Sequence, residues 1–395
     1  MPAPCIACGH EAAAPLLDLG DIPASGVFLE SPDQAPATVR LAYAFCPVCG
    51  LIRQRGAPAE TAYAGADRAT ARRQFAYVHD LLRRTAALAP PGDGLVLDVG
   101  ANDGAFLDLA ARAGYRRRLG VEPSRACAAA CAARGHAVVA APLDRDTAAG
   151  IRREHGPAAI VFCRHTIEHV ADPLGLLEAA AACLAPDGLL VLETPHAAWP
   201  VAGLRVHELW QEHLFVFHPA NLARLLDRAG LAVVAAEAYR HDGTFDQVFW
   251  ARPGLAARPD TPPAFLEACR ALGGRFAAFA AGLRHRAAGW PRPVAAMGAA
   301  HVQAHFLLFT GLGAVVDHIL DDDPRKRGRW LPVPRPVPVI GTAEGIARAP
   351  ATLLETAFAY PDWTRQVREG LGSAAVAVDP YAGVAWDPDG AGRKP

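Results

Sequence analysis

The chain has 395 residues, enough for two or three domains and more than one buried core. Its 39 Lys+Arg against 40 Asp+Glu give a formal charge of -1, which excludes a broad attraction to nucleic acid or an anionic membrane. A composition of 52% hydrophobic and 20% charged residues excludes a mainly disordered chain.

Residues 1–70 are rich in turns and hold four of the nine cysteines. The opening Met1-Pro-Ala-Pro-Cys-Ile6 lacks the basic region and apolar run of a secretory signal. No apolar stretch approaches the ~20 residues that a membrane-crossing helix needs. A soluble, cytoplasmic protein is expected, and in a reducing compartment cysteine spacing matters more than cysteine number. Cys5-x-x-Cys8 and Cys46-x-x-Cys49 each bring two thiolates to one ion, with Gly9 and Gly50 following as turn residues. Two such knuckles complete a tetrahedral four-thiolate zinc site, which has no open position and is therefore structural. The 37 residues between the pairs require an intervening loop or small sheet.

A helix is expected over 71–88, ending at Pro90-Pro91-Gly92. From Gly94 to about Phe249, short apolar runs alternate with Ala/Leu/Arg helices, the pattern of a parallel α/β sheet. Strands are expected at 95–99, 118–122, 137–140, 159–162 and 188–192, with helices at 104–113, 124–134 and 173–184. Leu95-Val-Leu-Asp-Val-Gly-Ala-Asn-Asp-Gly104 is a buried strand running into a glycine turn, which lets backbone approach a ligand closely. Glu122 ends the next strand, 22 residues beyond Gly100, where a carboxylate can accept both hydroxyls of an adenosyl ribose. The turn lacks the third glycine of the dinucleotide fingerprint, which disfavours NAD; S-adenosylmethionine has no pyrophosphate and does not need it. Asp98, Gly100, Asn102, Gly104 and Glu122 are the candidate cofactor contacts.

The fourth strand enters Cys163-Arg-His-Thr-Ile-Glu-His169, placing Arg164, His165 and His169 at the carboxyl end of the sheet, where such folds bind ligands. Arg164 and His165 join the cofactor candidates. Beyond the fifth strand, Glu208-Leu-Trp-Gln-Glu-His213-Leu-Phe-Val-Phe-His218 interleaves aromatics with Glu212 and His213. That suits a partly desolvated general base tuned by an adjacent carboxylate. A core helix with solvated polar positions is the competing reading of this segment. Pro253, Pro259, Pro262 and Pro263 mark a linker, a long helix follows over 264–288, and a second, shorter α/β unit begins at Pro293.

Taken in this order, the elements resemble the S-adenosylmethionine-dependent C-methyltransferases that act on nucleotide-linked deoxysugars in antibiotic biosynthesis. The markers are the four cysteines, Gly100 to Gly104, Glu122-Pro-Ser, Trp210-Gln-Glu-His213 and Asp323-Pro-Arg-Lys-Arg-Gly328. The resemblance implies an α/β fold in three parts: a zinc-binding domain at 1–70, a class I, Rossmann-like methyltransferase core at 71–255, and a Rossmann-like substrate domain at 256–395. That family's Tyr-His-Glu-His motif, whose last His is the proposed base, reads Trp-Gln-Glu-His here. His213 and Glu212 thereby inherit roles, and Tyr63 and His169 fall where the family places active-site side chains. Two positions depart from the family: Gly298-Ala-Ala-His301 lacks the Ser and Lys of its Gly-Ala-Ser-x-Lys turn, and His241-Asp-Gly-Thr244 replaces His-Gly-Gly-Ser. The implied reaction is methylation of a carbon next to a ketone of a small molecule, with S-adenosylmethionine and zinc bound. The alternatives are O- or N-methylation of another small molecule, and a non-catalytic zinc-ribbon scaffold.

Overall fold

A computed structural model describes residues 4–56, 77–241, 243–255 and 259–384. Tyr63 and residues 71–76 of the expected first helix lie outside them. Three sheets organise the chain. The N-terminal sheet pairs β1 (Ala14–Pro23), β2 (Thr38–Phe45) and β3 (Ile52–Arg55) antiparallel, so a small sheet occupies the span between the two cysteine knuckles. Its fourth strand, Phe215–Val216, comes from much later in the chain and pairs with β3.

The central unit begins with α1 (Tyr77–Leu88) and β4 (Leu95–Val99). It continues through α2 (Ala105–Arg112), β5 (Arg117–Val121), α3 (Arg125–Ala133), β6 (Ala137–Val139), α4 (Arg145–His155) and β7 (Ala158–Arg164). Next come α5 (Pro173–Cys183), β8 (Leu184–Pro195), α6 (Ala198–Val201), the two-residue β9 at Phe215–Val216, α7 (Pro219–Arg228), and the hairpin β10 (Leu231–His241) with β11 (Thr244–Pro253). The sheet order is β6-β5-β4-β7-β8-β11-β10, parallel except at β11. Every residue of β4 is buried, as a parallel strand covered on both faces requires. Leu95, Leu97 and Val99 face one core with Val161 and Cys163, while Val96 faces another with Ile160, Phe162 and Trp250. The chain winds outward from β4 to β6, then returns to β7 on the other side of β4. That reversal opens a crevice beyond the carboxyl ends of β4 and β7.

A long helix, α8 (Pro263–Ala287), leads into β12 (Val294–Met297), α9 (His301–Thr310), β13 (His318–Leu320), β14 (Trp330–Pro332) and β15 (Pro336–Ile340). α10 (Thr342–Ala347), β16 (Thr352–Leu354), α11 (Pro361–Leu371) and β17 (Val376–Val378) complete it, with sheet order β14-β15-β13-β12-β16-β17. Asp321, just past β13, accepts the Ala299 N–H at 2.9 Å, so it stands to the Gly298 turn much as Glu122 stands to the Gly100 turn.

The three units share elements. Phe265, Cys269, Leu272 and Phe276 of α8 pack with Leu16, Leu41 and Tyr43 of the N-terminal sheet, whereas Leu283 and Ala287 belong to the C-terminal core. Burying each of those phenylalanines contributes roughly 1.5–3 kcal/mol, so one helix holds both ends of the chain to the middle. Among the described residues no helix is long and apolar enough to cross a membrane.

Candidate functional site

The cysteine knuckles are built alike. In each, the N–H of the glycine donates to the carbonyl of the first Cys at 2.8 Å (Gly9 to Cys5, Gly50 to Cys46), with φ of +78° and +70°. That left-handed conformation is why glycine follows the second Cys. At Gly50 a side chain is doubly excluded, because a Cβ would lie 2.9 Å from the Phe265 ring. The four Sγ atoms lie within 4.8 Å of one another, with Cys5 to Cys49 and Cys8 to Cys46 both at 3.5 Å. Zn–S bonds of ~2.3 Å give a tetrahedral edge of ~3.8 Å, so the set fits zinc and is much too open for a disulfide. Hydrogen bonding among the crowded thiols holds Cys46 far below the usual thiol range and pushes Cys5 up to about 11. The Cys49 carbonyl accepts from Asn221 Nδ2 at 3.1 Å and Thr261 Oγ1 at 2.9 Å, both buried, which ties the second knuckle to α7 and the linker.

The glycine turn closes tightly on the sheet. Gly100 has φ +77°, and a Cβ there would fall 2.3 Å from Thr166 Oγ1. Asn102 adopts φ +51°, held by its N–H donating to Glu122 Oε2 at 2.9 Å. Glu122 Oε1 accepts from Ser124 N–H at 2.8 Å, and Ser124 caps α3 by accepting from Cys127 N–H. Glu122 is buried and braces both loops. Gly104 caps α2 in the left-handed region, packed against Cys131 and His136. Asp98 is buried within β4. Beside the turn lies a cavity of about 880 Å³, lined among others by Val99, Gly100, Pro123, Leu143, Thr166 and His169.

Arg164 and His165 point elsewhere. Arg164 is stacked on Phe106 and donates to Glu193 at 2.5 Å and to Tyr77 at 3.0 Å; neither it nor His165 lines the cavity. His165 Nε2 lies 3.7 Å from Glu193 and 4.0 Å from Asp246, and Nδ1 lies 3.6 Å from Glu168. Burial opposes a charge on His165, but Asp246 and then Glu193 raise its pKa above the ordinary value.

Residues 206–214 form a short 3₁₀ turn and irregular backbone rather than the core helix of the competing sequence reading. Tyr43 on β2 fixes this segment: its hydroxyl lies 2.7 Å from the Trp210 carbonyl and 2.8 Å from that of His213. The His213 ring lies 5.0 Å from that of His169 and 5.3 Å from that of Trp210. Trp210 in turn stacks on His301 at 4.1 Å, which brings it against the turn that opens the C-terminal unit. His213 Nδ1 lies 2.9 Å from the Glu208 carbonyl, and His169 Nδ1 lies 2.7 Å from the Glu212 carbonyl. A carbonyl only accepts, so both rings carry a proton on Nδ1. Burial, then repulsion from His169, pushes the His213 pKa down to about 3, leaving it neutral at pH 7.

The carboxylate gathered with His213 is that of Glu168, not Glu212, whose main-chain carbonyl orients His169. Burial disfavours the Glu168 charge, yet His165, His169 and His213 together hold its pKa near 2. Glu208 behaves oppositely: burial and then Asp246 push it up to about 7. Glu168 and Glu208 both sit inside the motifs singled out above, but composition gave no reason to prefer them over the neighbouring histidines. Glu193, Asp246 and Tyr239 carried no local signal, since they come from separate strands.

Residues 70–236 match the family model described as a methyltransferase domain. The chain is 29% identical over 272 residues to the C-methyltransferase NovU of Streptomyces niveus, covering 67% of this chain and 63% of that protein's length. A SAM-dependent methyltransferase from Archaeoglobus fulgidus aligns at 18% identity and a TM-score of 0.38, over 44% of this chain and 92% of its own. The Burkholderia thailandensis 1,6-didemethyltoxoflavin-N1-methyltransferase aligns at 18% identity and 0.35, over 45% and 76%. The central unit is thus similar to methyltransferase domains, and the chain spans under two thirds of the length of the C-methyltransferase it matches.

Proposed function

We propose that the chain transfers a methyl group from S-adenosylmethionine to a carbon next to a ketone of a small molecule, and that the acceptor is a nucleotide-linked deoxysugar or a related keto compound. The observation that carries this reading is the cavity at the sheet's reversal, which reaches from the Gly100 turn to His169, with His213 packed behind. In this reading Gly100, Asn102, Gly104 and Glu122 hold the cofactor, with Asp98 supporting the turn from within β4. Bound there, S-adenosylmethionine supplies an electrophilic sulfonium methyl. Cys5, Cys8, Cys46 and Cys49 would hold zinc as a structural ion, in a unit comprising residues 1–70 beside a core at 71–255 and a substrate unit at 256–395.

Methylation at carbon requires an acidic C–H to be broken, so a base must stand at the acceptor. His213 takes that part as long as its Nε2 lone pair is not engaged elsewhere, and the Glu168 carboxylate stabilises the imidazolium that results. His169 lines the cavity and, as the imidazolium with a second proton on Nε2, holds the developing oxyanion, the part it shares with Tyr63 in the family resemblance. The relative NovU is called a C-methyltransferase, which favours carbon over oxygen or nitrogen.

The test is incubation with keto-sugar nucleotides in deuterated solvent, with S-adenosylhomocysteine in place of the donor, followed by turnover with methyl-labelled S-adenosylmethionine. The expected results are exchange of the substrate α-proton and carbon-bound label. General-base catalysis contributes ~10²–10⁴-fold, so His213→Ala should lose turnover on that scale while keeping S-adenosylhomocysteine affinity. Label on oxygen without carbon exchange would overturn the reading.

A further inference from the structure

Glu168, His169 and His213 meet with one ligand atom each, all within 4.8 Å of one another. The Nδ1–H of each histidine is engaged by a backbone carbonyl, so Nε2 is the nitrogen through which either ring, in its neutral form, would bind an ion. Glu168 is 1% exposed; its Oε2 accepts from Thr194 Oγ1 at 3.0 Å, while its Oε1 accepts no hydrogen bond. Oε1 lies 3.6 Å from His165 Nδ1 and 3.9 Å from His169 Nε2. The meeting point is thus a set of acceptors: two imidazole lone pairs and one carboxylate oxygen whose other oxygen is pinned. Rings oriented through Nδ1 on carbonyls are the arrangement that protein ligands of transition metals adopt.

We propose that Glu168, His169 and His213 form a divalent-cation site whose open positions hold the carbonyl oxygen and a neighbouring hydroxyl of the methyl acceptor. Two histidines and one carboxylate on one side of an ion leave the other side free for a bidentate substrate. Metal–ligand bonds of ~2.1 Å set ligand edges of about 3.0–3.4 Å, so groups within 4.8 Å of one another need close by at most about 1.4–1.8 Å. His169 lines the cavity and gives the ion access to it. The neighbouring group of His165, Glu193 and Asp246 is a poorer host. Arg164 and Tyr239 already engage Glu193, and His241 and Thr244 engage Asp246.

The inference rests on the methyl-transfer reading for the use of the ion, and it changes the part played by His213. With an ion in place His213 and His169 would be ligands, the ion would polarise the acceptor carbonyl, and the proton would pass to Glu208, one of the two carboxylates of the segment that carries His213. The C–H electron pair enters the enolate, whose carbon then bonds to the methyl as the C–S bond breaks and S-adenosylhomocysteine leaves.

The experiment needs no substrate. The full chain, with its cysteine site left as purified, is titrated with Mn²⁺ and followed by loss of the free-ion electron paramagnetic resonance signal. Mn²⁺ suits the N/O set and competes poorly for thiolates. One Mn²⁺ should bind per chain, and Glu168→Gln and His213→Ala should each weaken it by at least ~10-fold. S-adenosylhomocysteine affinity is measured on the same samples, and only variants that keep it are compared; His169→Asn stands in for either that does not. No Mn²⁺ binding by the wild type at millimolar ion, or equal binding by the variants, overturns the site. So does binding lost in Asp246→Asn but kept in Glu168→Gln. A chain that binds S-adenosylhomocysteine but no Mn²⁺ loses this inference and keeps the methyl-transfer reading; one that binds Mn²⁺ but not S-adenosylhomocysteine does the reverse.

Discussion

Glu122 is the residue at which loop architecture and cofactor recognition are hardest to separate, and its substitution can part them. Its carboxylate receives two backbone N–H donors, from Asn102 at 2.9 Å and Ser124 at 2.8 Å, in a residue only 1% exposed. In Glu122→Gln one oxygen becomes an amide NH₂, a donor facing a donor, so one buried backbone N–H loses its acceptor. That costs ~1–3 kcal/mol of folding stability, which urea denaturation without ligand would read. A ribose hydroxyl on the same carboxylate would have contributed another ~1.5–3 kcal/mol to binding. Its loss weakens S-adenosylhomocysteine by roughly 10- to 150-fold in a calorimetric titration. The two losses are independent readouts. A folded Glu122→Gln chain that binds within about two-fold of the wild type would show that the carboxylate serves only the backbone, and the ribose assignment would fall.

Two other outcomes follow from the structure. Elemental analysis should find one zinc per chain, and Cys46→Ser should lose it together with stability before turnover falls in whatever remains folded; metal-free protein of wild-type stability would refute the structural role. Acid should destabilise the fold below about pH 6.5. Burial lowers the pKa of His196 to about 3 and of His213 to about 3, and brings His218 and His305 to about 4. Between those values and 6.5 the unfolded chain binds more protons, so stability rises with pH, by roughly 2 kcal/mol per histidine from pH 5 to 6.5 as an upper figure. Glu208, raised to about 7, and His165, raised above its ordinary value, work in the opposite direction as two groups against four. Denaturation midpoints that do not fall between pH 7 and pH 5 would contradict the buried neutral histidines.

What could be read from sequence follows how local each signal is. The strand at 95–99 and the helix expected at 264–288 appear at Leu95–Val99 and Pro263–Ala287, because buried runs and proline boundaries act within a few residues. No helix was expected at Arg145–His155, where only Ala148 and Ile151 are buried and the apolar periodicity is faint. The β10–β11 hairpin was equally silent, since Ala-rich Leu231 to Ala238 satisfies no strand pattern strongly and β10 is an edge. At the site, the cysteine spacing and the glycine turn could be read because each lies within one loop or pair of knuckles. Glu168, Glu193 and Asp246 could not, because their meeting depends on β7, β8 and β11 lying side by side.

The hydroxyl of Tyr43 reaches from the N-terminal sheet to the main chain of Trp210 and His213, while Trp210 stacks on His301 of the C-terminal unit. The Gly100 turn and Glu122, by contrast, are braced wholly within the central unit. The two places are therefore asymmetric in their dependencies: the Gly100 turn is self-contained, and the segment at Trp210 to His213 is held by pieces of three units. In the proposed reading, change in either outer unit can reshape what is methylated without disturbing the turn that would hold the donor.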